Sequence, residues 1–185
     1  MRCLREGVEW LAAGSVKPRV AGKSGISQAR TRLGWEPVRR LHDDGVKPVA
    51  VAATKGARYG RWRVVSLDGG TLDVAHESAN AAAFGRPGSS RGASAWPQIH
   101  FVSLVENGTR VRFGTQMAGC ETGEVALAKT VLPSLAPGML CLAGRDFFGY
   151  RMGTQAAATG ADLPWRARKN ILSPRDQRLP DGSFL

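Results

Sequence analysis

Two β-like runs on either side of Asn107-Gly108 constrain the fold of this chain more than any other feature. The run IHFVSLVE precedes the dipeptide, and TRVRFGTQM follows it. Asn-Gly is the strongest short signal for a β-hairpin, because both central residues of the tight turn adopt positive φ angles. The segment therefore predicts two antiparallel strands joined by a two-residue turn.

A third strand is predicted before this hairpin, in RWRVVSLDGGTLDV. Its β-branched content is typical of a strand, but Gly69 and Gly70 lie in its middle. These glycines could close a second hairpin, or they could mark a bulge or a close approach of the backbone within one strand. We favour one long strand, because Thr71–Val74 is too short to be a convincing partner.

After the hairpin, helical and strand patterns alternate. ETGEVALAKTVLPSL predicts a helix that begins near Thr122, GMLCLAG a short buried strand, FFGYRMGTQAAATG a helix that ends at Gly160, and ADLPWRAR a weak strand. Three antiparallel strands followed by this alternation describe a mixed sheet in which the first strand and the strand after the helix are neighbours. We therefore predict the α/β class and an incomplete ribonuclease-H-like mixed sheet, preceded by a small helical segment.

The N-terminal part of the chain predicts two short helices. ISQARTRLG can begin at Ser27 and end at Gly34, and EPVRRLHDDG can begin with Pro37 in its first turn and end at Gly45. The pair resembles a helix-turn-helix, although an ordinary helical hairpin is the alternative. We predict a basic helical domain over residues 1–60, a sheet domain over 61–168 and a separate segment over 169–185.

The net charge of +11 is concentrated away from the predicted sheet. Residues 1–63 contain 14 Lys and Arg against 5 Asp and Glu, whereas residues 64–163 contain 7 against 8. Such asymmetry favours a polyanion partner, because cationic side chains that neutralise phosphates release counterions; a solvated basic surface is the alternative. The candidate DNA-binding residues are four on the helices and two in a Gly- and Ser-rich segment that we predict to be a long loop: Arg30, Arg32, Arg39, Arg40, Arg86 and Arg91.

The cysteines and the apolar runs indicate where in the cell the protein is expected. The three cysteines include no closely spaced pair, so a reducing cytoplasm is expected. Proline and glycine interrupt the longest apolar run, and the N-terminal pattern does not resemble a signal peptide. We predict no membrane association.

We also expect Trp96, Phe147, Phe148 and Trp165 to be core residues rather than platforms for stacked bases.

The sequence also resembles a known family. SLDGGTLDV, NAAAFGRPGSSRG, AWPQIHFVSLVENGT, TGEVALAKTVLPSLAPGMLCLA, RDFFGY and AAATGADLPWRARKN together resemble the DDE transposases of bacterial insertion sequences, in the insertion-sequence-four group. SQARTRLGWEPVRRL resembles the helical N-terminal domain of that group. The resemblance implies DNA transposition: three carboxylates hold two Mg²⁺ ions that drive hydrolysis at the transposon ends and strand transfer into target DNA. It also implies a homo-oligomer in the transposition complex.

The resemblance assigns the first catalytic and metal-binding aspartate to Asp68. In the predicted sheet, an acid on the first strand faces the end of the fourth strand across one strand spacing of about 4.8 Å. Two carboxylates at so short a distance repel each other unless a cation lies between them. Mg²⁺ suits such oxygen ligands. A pair of ions can then activate the attacking oxygen and stabilise the leaving oxygen.

The family's second aspartate lies in the pattern Leu-Ala-Asp-Arg-Gly-Phe-Phe-Gly-Tyr. This chain reads LAGRDFFGY over residues 142–150, so Gly144 occupies the position of the acid and Asp146 occupies the position of the glycine. Two residues of extended chain span roughly 6.6 Å, which is too far for metal ligation. A bent loop that returns Asp146 to the site is the alternative.

The family's third acid is a glutamate on a later helix, beyond a β-rich insertion. Residues 169–185 resemble the start of that insertion, and we expect the chain to be truncated there. The sequence therefore predicts a degenerate transposase fragment of a mobile element that is unable to catalyse. The alternative is a non-catalytic DNA-binding remnant that interferes with intact transposases.

Overall fold

The computed structural model describes residues 22–89, 92–93, 96–171 and 176–183. The chain divides into two compact units, of which the first ends at Gly45 and the second begins at Val46. Within the described ranges, no helix is both long enough and apolar enough to cross a membrane. The mixed α/β fold belongs to the second unit.

The described part of the first unit consists of two helices, α1 (Lys23–Leu33) and α2 (Glu36–Gly45). Helix α1 begins at Lys23 rather than at Ser27, and it ends as predicted at Gly34, whose φ of 69° is in the left-handed region that favours glycine. Helix α2 ends at Gly45 as predicted. It contains no buried residue.

The second unit contains a five-stranded sheet, a small two-stranded sheet and three α-helices among the described residues. Its elements in chain order are β1 (Arg58–Tyr59), β2 (Trp62–Asp73), α3 (Ser78–Phe84), β3 (Gly88–Ser89), β4 (Gly92–Ala93), β5 (Gln98–Glu106), β6 (Arg112–Gly119), α4 (Glu124–Val131), a 3₁₀ helix (Leu132–Ser134), β7 (Met139–Ala143) and α5 (Tyr150–Ala157).

Strand β2 is the centre of the large sheet. Strand β5 pairs with it antiparallel and β6 pairs with β5, whereas β7 pairs with β2 in parallel on the other side. The short strand β1 pairs antiparallel with the start of β2. Beyond β7, parallel bridges from Leu140 to Asp162 and from Ala143 to Trp165 extend the sheet by a further edge segment. The predicted mixed α/β sheet is therefore confirmed.

The prediction that β2 is one long strand is confirmed, and its two glycines mark close approaches. A Cβ atom on Gly70 would lie 3.0 Å from the ring of Phe101 on the neighbouring strand. A Cβ atom on Gly69 would collide with the carboxylate of Glu124, at the start of α4. A side chain at either position would therefore push apart elements that pack directly on β2.

The hairpin of β5 and β6 exists, but the predicted two-residue turn at Asn107-Gly108 is wrong. The loop covers residues 107–111, and its residue with positive φ is Arg110, at 61°. Tertiary contacts explain the difference. Asn107 accepts a hydrogen bond from Ser66 at 2.8 Å, and Gly108 packs so closely on Ala57 that an added Cβ would lie 2.5 Å from the Ala57 Cβ.

The segment between β2 and β5 is not the structureless loop that its composition predicts. It contains α3 and the small hairpin of β3 and β4. The carbonyl of Phe84, at the end of α3, accepts a hydrogen bond from the Cys120 N–H at 2.8 Å. Alanine-rich sequence thus forms one short helix whose end packs against the end of β6.

Residues 46–60, which were predicted to belong to a helical domain, belong to the sheet unit. None of them is helical, and they include β1. The N–H groups of Val49 and Ala50 donate to a carboxylate oxygen of Glu106, at 3.1 and 2.9 Å. This tie to the end of β5 explains why the boundary between the units falls at Gly45 and not at residue 60.

The two faces of the large sheet are covered differently. The core face, which carries Val65, Leu67, Leu104 and Cys141, packs into one hydrophobic cluster with residues of α4 and α5. The open face carries Ser66, Asp68, Leu72, Met117 and Leu142; the side chains of Leu72 and Met117 are 53% and 64% exposed.

The aromatic residues that were expected in the core differ in their burial. Phe147 is buried, and Trp165 packs against the hydrophobic cluster. Phe148 is half-buried. Trp96 is 50% exposed, and its ring contacts His76 edge to face. The expectation that Trp96 is a core residue was wrong, because this part of the chain folds outside the main cluster.

Candidate functional site

An open depression of about 500 Å³ lies where β7 ends beside the middle of β2. Its wall combines residues of four strands, β2, β5, β6 and β7, with the first residue after β7 and the start of the loop after β5. The lining residues are Ser66, Leu67, Asp68, Val105, Asn107, Arg112, Leu142, Ala143 and Gly144.

Asp68 and Gly144 are neighbours across this edge. The parallel register of β2 and β7 pairs Leu67 with Ala143, so the next residues along the two strands are Asp68 and Gly144. Adjacent strands are about 4.8 Å apart, which is the separation at which two carboxylates can share a cation. Asp68 is exposed, and a Cβ atom on Gly144 would meet no atom within 4 Å. The edge therefore carries one acid and has open space for a second.

Asp146 lies outside the depression. Residues 145–147 form a turn in which the Phe147 N–H donates to the Gly144 carbonyl at 3.2 Å. The Asp146 side chain is 67% exposed, and its carboxylate pairs with the guanidinium of Arg168 at 3.4 Å. The turn thus directs this acid to a cation rather than toward Asp68.

The residues present do not fit a site for two magnesium ions. Asp68 is the one carboxylate in the wall of the depression, and Gly144 offers no side-chain ligand. Within the described ranges, no cluster of three or more His, Cys, Asp or Glu side chains could hold a metal ion. An isolated aspartate leaves most positions around Mg²⁺ without protein ligands.

Arg112 is a residue of the depression that the sequence analysis did not identify. It is the first residue of β6, directly after the hairpin loop. Its guanidinium lies 5.8 Å from the centre of the Phe101 ring. The guanidinium places a positive charge in the same depression as the Asp68 carboxylate. Its alternation with Phe113, which is buried, was the available signal that Arg112 faces the open side.

The four predicted DNA-binding arginines of the first unit are all exposed. Arg32 donates to Gln28 at 3.2 Å, and Arg39 pairs with Asp43 at 3.4 Å while its guanidinium lies 5.7 Å from the centre of the Trp35 ring. Hydrogen bonding to His42 and the positive charge of Arg39 lower the pKa of Asp43. An ionised Asp43 partly neutralises Arg39, so Arg30, Arg32 and Arg40 are the stronger candidates for phosphate contacts.

Of the two loop arginines, Arg86 lies close to a histidine. Arg86 is half-buried, and its guanidinium lies 3.5 Å from a ring nitrogen of His76. Arg91 lies outside the described residues.

A second charged cluster, also missed from sequence, has a structural role. Glu106 is fully buried at the end of β5 and forms an ion pair with Arg63 of β2. It also accepts hydrogen bonds from the Thr109 hydroxyl and from two backbone N–H groups. A buried carboxylate with this many donors is held by the fold and is not available to a ligand.

Comparison with known proteins adds no assignment: no family model, curated protein or solved structure matches this chain.

Proposed function

We propose that this chain is a DNA-binding remnant of a DDE transposase, in which the catalytic site has lost its second acid. The observation that carries the proposal is the parallel register of β2 and β7, in which Leu67 pairs with Ala143 and the next residues are Asp68 and Gly144. In the family that the sequence resembles, a second aspartate occupies the position of Gly144. The position expected for a catalytic pair therefore holds one acid and one glycine.

The strand arrangement supports a ribonuclease-H-like assignment as part of this proposal. Its order is β6, β5, β2, β7 and then the edge segment that contains Asp162 and Trp165. The three long strands β2, β5 and β6 are antiparallel neighbours, and β7 returns parallel to β2 after a helix. An acid within the first long strand of such a sheet is suited to phosphoryl transfer only with a second acid beside it.

We propose DNA as the partner because of the basic first unit. Three of its arginines lie on exposed helical surface without an acidic partner among the ion pairs of the described residues, and exposed arginines bind phosphates without reading sequence. Transposon ends as the bound DNA, assembly into a homo-oligomer and a cytoplasmic location belong to the same proposal. In an organism with intact relatives, such a protein would compete with them for their DNA sites.

Two measurements on the same protein test this proposal. Supercoiled plasmid is incubated with Mg²⁺, and nicking by the wild type is compared with nicking by Asp68→Ala. We expect no Mg²⁺-dependent nicking from either, together with gel retardation of DNA that weakens as salt increases. Nicking that is lost in Asp68→Ala would refute the loss of catalysis, and failure to retard DNA at low salt would refute DNA binding.

A restored acid provides a sharper test of the site geometry. Gly144→Asp should place a carboxylate beside Asp68 and increase the affinity for Mg²⁺ at least about tenfold, because two adjacent carboxylates favour a shared cation. Gly149→Asp is the matched control, since an added side chain also meets no atom within 4 Å there. Isothermal titration should show that the gain requires Asp68. Equal affinity in Gly144→Asp and Gly149→Asp would contradict the proposed pairing.

A further inference from the structure

The hairpin that joins β1 to β2 carries an aromatic and basic surface far from the depression. We define the Tyr59 hairpin as residues 58–63. The rings of Tyr59 and Trp62 are stacked at an interplanar angle of 17°, with 6.5 Å between their centres. The guanidinium of Arg61 lies 4.7 Å from the centre of the Trp62 ring. Tyr59 is 69% exposed, so much of its ring surface faces solvent.

The stack is fixed by polar contacts as well as by ring contact. The Trp62 indole N–H donates to a carboxylate oxygen of Asp162 at 2.6 Å, which orients the indole. Arg58 donates to the carbonyl of Arg61 at 3.3 Å across the turn. Because Trp62 is held, the Tyr59 ring that stacks on it loses little further freedom when a third ring is added. The hairpin is therefore preorganised for an additional stacked ring.

The charge around the exposed ring is positive. The sequence from Val46 to Leu67 contains no Asp or Glu, and both Arg58 and Arg61 are exposed. Arg63 does not contribute to this surface, because it pairs with the buried Glu106. Asp162 is engaged by the Trp62 N–H. The guanidinium of Arg61 thus lies against the Trp62 ring, and that of Arg58 lies at the adjacent turn.

We propose that the Tyr59 hairpin binds an unpaired nucleotide of a DNA strand, with the base stacked on Tyr59 and the adjacent phosphates contacted by Arg58 and Arg61. An aromatic face beside cations matches a flat ring linked to anions, and stacking requires a base whose face is not already covered in a duplex. Trp62 and Asp68 are six residues apart on one strand, roughly 20 Å, so this surface is distinct from the depression. It would act whether or not the chain is a transposase.

The test is fluorescence anisotropy with a labelled oligo-dT of about 15 nucleotides, which is in the range of single-strand binding sites, and with a duplex of equal length. EDTA is present throughout, so that binding does not depend on acids or metal at the depression. We expect Tyr59→Ala to weaken oligo-dT binding about tenfold and duplex binding little, whereas Tyr59→Phe keeps the ring and the affinity. Arg58→Gln and Arg61→Gln should each reduce the salt slope by about 0.7.

Tyr150→Ala is the matched control, because Tyr150 is 89% exposed, precedes an arginine and lies in the same unit. This variant should bind oligo-dT like the wild type. Circular dichroism melting should be unchanged in both alanine variants, since each removes an exposed side chain. Equal oligo-dT binding by Tyr59→Ala and Tyr150→Ala would refute the proposal, as would an equal loss of duplex binding in Tyr59→Ala or no binding of oligo-dT by the wild type.

Discussion

Glu106 and Asp68 lie on opposite faces of the sheet, and the two acids have opposite surroundings. Glu106 lies opposite Val65 on the core face and is fully buried, with an arginine, a threonine hydroxyl and two backbone N–H groups around it. Asp68 lies on the open face and is exposed beside Gly144. The difference shows which acid the fold requires. Glu106 stabilises the structure, whereas Asp68 is a residue that folding does not explain.

The largest effect that would distinguish the faces is expected at Glu106. Glu106→Ala leaves the Arg63 charge inside the protein without its partner and removes the acceptor for Val49 and Ala50. We expect a loss of about 4 kcal/mol in the free energy of unfolding, measured by urea denaturation. Glu106→Gln, which keeps an acceptor but not the charge, should lose less. A loss below about 1 kcal/mol in the alanine variant would show that the stability of the fold does not depend on Glu106.

A matched pair of leucines tests the same contrast without charge. Leu104 is fully buried on the core face, and Leu72 is 53% exposed on the open face. Leu104→Ala should cost about 3 kcal/mol because it leaves a cavity, whereas Leu72→Ala should cost less than about 1 kcal/mol. Urea denaturation of both variants provides the measurement. Equal losses would mean that the open face is packed in solution.

The buried thiol of Cys141, on the core face, makes the stability of the fold depend on pH. Burial raises the pKa of this thiol from its ordinary value of 9.0 to about 11, with smaller opposing contributions from Trp165 and the Leu67 backbone. Between these values the unfolded chain loses the proton and the folded chain keeps it, so stability decreases as the pH rises from 9 to 11. We expect this to remove about 2 kcal/mol.

Urea denaturation of the wild type and of Cys141→Ala at pH values across this window measures the contribution, since other groups titrate equally in both proteins. The decrease should be larger for the wild type. Parallel curves for the two proteins would show that the thiol is accessible to water in the folded state.

The smallest effect is expected at Asp68. Because this side chain is exposed, Asp68→Asn should change the free energy of unfolding by no more than about 0.5 kcal/mol. The same denaturation experiment applies. A loss above about 1 kcal/mol would show that Asp68 has a structural role and would weaken its assignment to a former catalytic site.

Much of the fold could be predicted from local patterns. The long β2, the hairpin of β5 and β6, and the helix–strand–helix order after it follow from periodicity and glycine positions, which are properties of neighbouring residues. The five-residue span of the hairpin loop could not be predicted. It depends on Ser66 and Ala57, which contact Asn107 and Gly108 from other parts of the chain.

The candidate site, like the fold, could be predicted from the sequence only in part. The element order predicted that Asp68 and Gly144 would be neighbours, because an acid on the first strand faces the end of the parallel fourth strand across one strand spacing. The ion pair of Arg63 with Glu106 could not be predicted, since the two residues are 43 positions apart and no local pattern joins them. The stacked pair of Tyr59 and Trp62 was missed because a two-residue strand produces no periodic signal.

The tie between Glu106 and the backbone at Val49 and Ala50 determines how short an isolated sheet unit can be. A polypeptide that starts at Val46 retains every donor to that carboxylate. One that starts at Trp62 looks sufficient from the strand boundaries, yet it would lack the segment that seals the carboxylate from water and would expose the end of β5. Residues that resemble a spacer between two units are thus a structural part of the second one.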